Sequence, residues 1–113
     1  MRENTIEEYL VERVKAMGGE VRKVKWIGRH GAPDRLVMLP TQAFIKWDGK
    51  TLRPGQVCYA EDSTRHGRAI WVGLKAPGEK AKPHQVREHE RMRHMGQRVE
   101  IVDSFDGVDE VLA

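Results

Sequence analysis

Apolar positions recur along the chain with two periods, one helical and one strand-like. Over residues 5–17, Ile6, Leu10, Val14 and Met17 fall at helical spacing, which predicts a helix with one apolar stripe. Thr5 is placed to cap it. Glu7 and Glu8 sit in its first turn, where the helix dipole favours anions, and Gly18-Gly19 ends it. Residues 20–27 have strand composition, residues 28–33 are rich in turn formers, and Arg35 to Leu39 reads as a second strand ended by Pro40. Asp48-Gly49, between Phe44–Trp47 and Lys50–Arg53, predicts a tight hairpin over 43–53. A short strand is expected over 56–60 and a polar loop over 62–67. Ala69 to Lys75 is almost continuously apolar, as a central strand covered on both faces would be. Pro83 opens a second helix that runs to about Met95 and stops at Gly96. Arg98 to Val102 is a last strand. Ser104 then caps a short helix carrying Val108, Val111 and Leu112.

This order of elements predicts an α/β fold, a mixed central β-sheet flanked by helices. The 113 residues make one domain, 1–113, with 41–68 as an elaboration between core strands. That length can bury a core without metal or disulfide staples. No repeat or low-complexity segment interrupts it. A 39% hydrophobic and 33% charged chain is expected to be soluble, and no apolar run reaches the roughly 20 residues of a membrane span. No membrane partner is therefore expected. Met1 to Thr5 leads into an acidic amphipathic stretch rather than an export signal, and Cys58 is the single cysteine. Both favour a reducing, cytoplasmic setting. The net charge of +3 and pI of about 9.2 suit nucleic-acid binding if the basic residues cluster, but composition alone does not decide it.

Candidate chemistry starts on the first helix. At 100° per residue Glu7 lies among Leu10, Val11 and Val14, with Glu3 one turn before it, whereas Glu8 and Glu12 point to solvent. An acid on an apolar face needs a partner or a metal, unless it snorkels or caps the helix end. Asp34 follows Gly31-Ala32-Pro33, where proline restrains the chain and glycine permits a tight turn. Alone, it reads equally well as an aspartate satisfying turn amides. Lys75 ends the apolar strand, and strand alternation points positions 73 and 75 the same way. Alone, it would simply reach solvent. Together, a carboxylate corner, a buried strand ending in lysine and a Pro-Gly beyond it form a constellation.

That constellation resembles the VRR-NUC domain, a branch of the PD-(D/E)xK nucleases with a restriction-endonuclease-like core. The resemblance rests on Gly31-Ala32-Pro33-Asp34-Arg35, Leu74-Lys75-Ala76-Pro77-Gly78, Pro83-His84-Gln85, and Ile6-Glu7 with Tyr9-Leu10 in the first helix. It spans nearly the whole chain except 41–68. It implies metal-dependent hydrolysis of DNA phosphodiesters, on branched or structured DNA, by a homodimer. By the same resemblance Asp34 binds Mg²⁺ or Mn²⁺, the backbone carbonyl of Leu74 is a further ligand, and Glu7 completes or supports the metal site. Lys75 orients or activates the attacking water and steadies phosphate charge, and Gln85 supports the centre from the second helix. These roles suit the chemistry. Magnesium takes hard oxygen ligands and lowers the pKa of bound water, and lysine places a compact charge near a developing oxyanion. Gln85 shares a helical face with His89 and Met92, the expected inward side.

One position departs from the family pattern. Where the motif has Glu-x-Lys, this chain has Gly73-Leu74-Lys75. Gly73 removes an oxygen ligand and a negative charge. Disturbing even the outer partners of a metal typically costs about 10–100-fold in affinity or activity. Three explanations stand: a disarmed nuclease, a relative that binds DNA without cutting it, or a substitute acid such as Glu61 or Asp62. A different class, a small basic interaction module in which these pieces are only turns, remains the alternative. Arg29, His30, Arg35, Lys80, Lys82 and Arg87 lie near the motif segments. They are either solvated charges or phosphate contacts that would make binding fall with salt. His84, His89 and His94 do not share a helical face, and Cys58 with His66 makes no zinc pattern.

Overall fold

The computed structural model describes residues 2–40, 46–47, 50–51 and 67–113. The strand expected over 56–60, most of the 62–67 loop, and Cys58, Glu61, Asp62 and His66 lie outside these residues. Helix α1 (Glu3–Ala16) is followed by β1 (Glu20–Lys23) and β2 (Arg35–Leu39). The two-residue strands β3 (Lys46–Trp47) and β4 (Lys50–Thr51) come next, then β5 (Arg68–Leu74), α2 (Pro83–His94), β6 (Val99–Val102) and α3 (Phe105–Leu112). The main sheet has the order β1-β2-β5-β6. Its first two pairings are antiparallel, and β5 to β6 is parallel. A parallel pair needs a crossover, which α2 supplies. β3 and β4 pair antiparallel, Lys46 with Thr51 and Trp47 with Lys50; the other residues of the hairpin expected over 43–53, Asp48-Gly49 included, lie outside the described ones.

The core lies on one side of the sheet. Ile6, Leu10 and Val14 of α1 and Val108, Val111 and Leu112 of α3 pack on Val37, Leu39, Ile70, Val72, Leu74 and Val102. Tyr9 ties the two helices together, stacking on Phe105 and donating to Asp109 Oδ1 at 2.7 Å. Among the described residues the opposite side carries one helix, α2, whose His89 and Met92 are buried, while Met38 is 37% exposed. The central strand β5 is therefore not covered equally on both faces. Ile70, Val72 and Leu74 are buried, and Trp71 and Gly73 between them are half-buried.

Expected boundaries move at the start of α1 and the end of β1. α1 begins at Glu3 with Arg2 as N-cap and no side-chain cap, so Thr5 lies inside the first turn and does not cap. β1 stops at Lys23 rather than residue 27. Beyond it Val24 still donates to the Asp34 carbonyl at 2.8 Å, but Trp26 turns its indole onto the Pro33 carbonyl and Gly28 takes φ +76. The C-terminal end of the fold follows expectation: Ser104 Oγ accepts from Gly107 N–H at 2.9 Å and starts α3.

Leu10→Ala, at a fully buried core position, is expected to cost about 2–5 kcal/mol of stability. Met38→Ala, on the partly covered face, should cost far less. Urea unfolding of the two variants checks which side of the sheet carries the core.

Candidate active site

The Gly31–Asp34 corner is pinned from three directions. Gly31 has φ +85, and a Cβ there would stand 2.9 Å from both Gln85 Cα and His84 O. Only glycine lets the corner lie against the first turn of α2. The Trp26 indole N–H donates to the Pro33 carbonyl at 2.8 Å, and Val24 N–H holds the Asp34 carbonyl.

Asp34 leaves the corner with its carboxylate half-exposed, Oδ2 lying 2.9 Å from Arg35 Nη1. Arg35 is 7% exposed. It faces inward beside Val37 and Leu39, and its Nε and Nη2 donate to Glu7 Oε1 at 3.0 and 2.8 Å. Burial pushes the guanidinium pKa down, but the Glu7 hydrogen bond and the charges of Asp34 and Glu7 outweigh that and raise it. Glu7 is thus an inward acid with a partner, as its helical position requires. Glu3, Glu8 and Glu12 are exposed. Arg35 is not a free phosphate contact; that expectation is corrected, because both carboxylates of the site already occupy it.

The antiparallel register pairs Arg35 with Val72, so one step further places Asp34 across from Gly73. Gly73 does not need to be glycine for space. A Cβ there would meet His89 Cε1 at 3.8 Å, Ile101 Cγ1 at 3.9 Å and Pro33 Cβ at 4.0 Å, all ordinary contacts. Beyond Leu74, whose side chain is buried in the core, Lys75 N–H bonds to Val102 O at 2.9 Å. Lys75 Nζ donates to Gln85 Oε1 at 2.8 Å. The same oxygen accepts from Lys82 N–H at 2.9 Å, which fixes Gln85 at the start of α2.

His89 is a site neighbour that its helical face only hinted at. It is 3% exposed beside Gly73, and its Nδ1 has no hydrogen-bond partner among the described residues. Burial lowers its pKa first, and the charges of Arg93 and Lys75 add to the effect, against a Gly31 backbone hydrogen bond and Glu88. The imidazole is therefore held neutral. Glu88, unmarked in the sequence, is 3% exposed and holds Arg91 at 3.1 Å and Arg29 at 3.7 Å. Of the remaining basic set, His30, Lys80, Lys82 and Arg87 are exposed.

The donors do not fit a divalent ion as they stand. Glu7 and Asp34 bring two negative charges, and Arg35 and Lys75 bring two positive ones, so these described side chains sum to no net charge. The position across from Asp34 has no side chain. Among the described residues no group of three or more His, Cys, Asp or Glu could hold a metal.

No protein-family model matches the chain. A phage protein named "Putative nuclease p44", of Acyrthosiphon pisum secondary endosymbiont phage 1, is 38% identical over 106 residues, 94% of this chain and 87% of that protein. A solved structure titled "VRR_NUC domain" superposes with a TM-score of 0.66 at 36% identity, covering 97% of this chain and 92% of its own. The chain belongs to the VRR-NUC nuclease family. The VRR-NUC fold accounts for the mixed sheet, and no described helix is long and apolar enough to cross a membrane.

A folded-state His89 pKa below the unfolded value of 6.5 means that the unfolded chain takes up the proton first as pH falls. This contribution to stability is therefore complete above about pH 6.5 and declines as pH drops toward the lower folded value. Thermal melts between about pH 7.5 and pH 5 should show this slope in the protein. It should be shallower in His89→Leu.

Proposed function

We propose that this VRR-NUC chain is a nuclease that engages DNA, on branched or structured substrates and as a homodimer, with a hydrolytic centre left short of one carboxylate. One observation carries the reading: the residue across from Asp34 is Gly73, with room for a side chain and none present. The rest of the centre is assembled around that point. Lys75, oriented by Gln85, can place its ammonium against a non-bridging phosphate oxygen and offset the charge that develops there. Asp34 presents a carboxylate to the same opening, and Arg35 holds Asp34 and Glu7 in place. His89, neutral, borders it without adding charge.

The charge balance explains why Gly73 matters. A neutral cluster has no net attraction for a divalent cation. A glutamate at position 73 would make the cluster −1 and add a second oxygen donor opposite Asp34, the setting in which Mg²⁺ or Mn²⁺ binds. The proposal therefore separates two abilities of this chain. DNA binding rests on Lys75 and the exposed basic residues around the opening (His30, Lys80, Lys82, Arg87 and the Glu88-held Arg29), and it weakens with salt. Cleavage rests on a carboxylate the chain lacks.

Cleavage of forked and single-stranded DNA in Mg²⁺ and in Mn²⁺ tests this directly. The unaltered protein is expected to cut at least about tenfold more slowly than Gly73→Glu, in line with losing a metal-site group. Asp34→Ala placed on the Gly73→Glu background should abolish the gain. Equal cutting by both proteins, lost in Asp34→Ala, would mean that an acid outside the described residues takes the place of the missing one. Sedimentation over a concentration series checks the dimer.

A further inference from the structure

A cleft of about 290 Å³ opens beside the catalytic corner, lined by Trp26, Arg29, Trp71, Glu88, Met95 and Gln97. Apart from Arg29, none of these residues has a part in the DNA binding or cleavage proposed above. We propose that it takes one unpaired nucleobase of the DNA strand whose phosphate lies at Asp34 and Lys75. This inference rests on the nuclease reading and adds to it a site for the base.

The two indoles argue for a flat aromatic occupant. Their ring centroids are 5.2 Å apart with planes inclined at 50°. Both indole N–H groups are already spent, Trp26 on the Pro33 carbonyl at 2.8 Å and Trp71 on Gln97 Oε1 at 3.0 Å. What they offer the cleft is therefore ring face, the surface on which bases stack in single-strand sites. The thioether of Met95, 68% exposed at the rim, suits the edge of such a ring.

The charges argue that the occupant carries a phosphate. Arg29 lines the cleft with a half-exposed guanidinium, and its 3.7 Å approach to Glu88 is an ion pair without a hydrogen bond. Among the described residues its N–H groups make no hydrogen bond, so they can be offered to an anion. Glu88, almost wholly buried, aims Arg29 from below. An aliphatic side chain of a protein partner would leave that guanidinium unused.

The placement ties the cleft to the cutting site. Trp71 precedes Gly73 by two residues on the same face of β5, about 6.6 Å along the strand. Trp26 is bonded to the residue just before Asp34. A phosphate at Asp34 and Lys75 thus has its neighbouring base within reach of the cleft. A base inside a duplex has both faces covered by its neighbours, so only an unpaired one can enter.

The test uses the unaltered protein in EDTA, where binding is read without cleavage. Five-residue oligothymidylate is compared with an abasic oligonucleotide of the same length and phosphate count. The thymidylate is expected to bind about tenfold more tightly, the scale of one base stacked on an aromatic side chain. The same oligonucleotide carrying 5-iodouracil should photocrosslink to Trp26, Trp71 or Met95, mapped by peptide mass spectrometry. Trp71→Leu should bring the thymidylate down to the abasic affinity, and the crosslink map serves if that variant folds poorly. Equal affinities of the two oligonucleotides would overturn the proposal, as would crosslinks confined to other residues. It would also fall if self-association, broken by Met95→Glu, proved to cover the cleft. If abasic and thymidylate strands bind alike while Gly73→Glu cuts DNA, the cleft fails and the nuclease reading stands. If neither strand binds, both fail together.

Discussion

The arrangement of the site depends on a single buried cation. Arg35 sits 7% exposed between Glu7 of α1 and Asp34 of the corner. The guanidinium is taken from water there, and that is tolerable only because two partly exposed carboxylates pair with it. The pair to Glu7, whose side chain remains 35% exposed, is partly screened and is better regarded as a positional constraint than as a large source of stability. Its consequence is geometric. The first helix cannot slide over the sheet without stranding Arg35, and Asp34 cannot swing from the opening without losing the guanidinium beside it. The corner is thereby held from the core side by an ion pair and from the other side by the Trp26 and Gly31 contacts.

That same cation sets the electrostatics of the opening. Among the described residues, Arg35 and Lys75 balance the two carboxylates, and under the proposed function the strand position opposite Asp34 sets the pull on a divalent ion. Gly73 leaves it neutral. The backbone, the lysine and its glutamine are all in place around a residue with no side chain, and His89 and Pro33 stop short of filling the space. The VRR-NUC fold is thus in place around a strand position that carries no side chain.

The two faces of the sheet divide the work. One is closed by α1 and α3 over a continuous aliphatic core. Among the described residues the other carries one helix, α2, and Trp71, Trp26 and Gly73 are partly exposed. A face that is only half covered costs apolar burial, and under the proposed function it is the face that DNA approaches. The buried acid Glu88 belongs to this side, where it holds two arginines at the rim.

The chain's own pattern determined much of this. The periodic apolar runs, Pro33 and Pro83, Gly31 and Gly96, and the Ser104 cap are local signals, and local physics places them: φ restriction, capping and side-chain alternation act over a few residues. The family resemblance of Asp34, Lys75 and Gln85 was legible for the same reason, since short motifs hold their spacing. The inward Glu7 and the inward Arg35 could each be read from helical and strand periodicity, and an inward arginine facing an inward glutamate is a signal that would have predicted their pairing. Tertiary structure alone decided the rest. The register of β2 against β5 puts Gly73 across from Asp34, and the docking of α2 buries His89 and Glu88 beside them. The meeting of Trp26 with Trp71 joins residues far apart in sequence. Such long-range contacts depend on how the apolar faces pack against one another, and no window of a few residues contains that information.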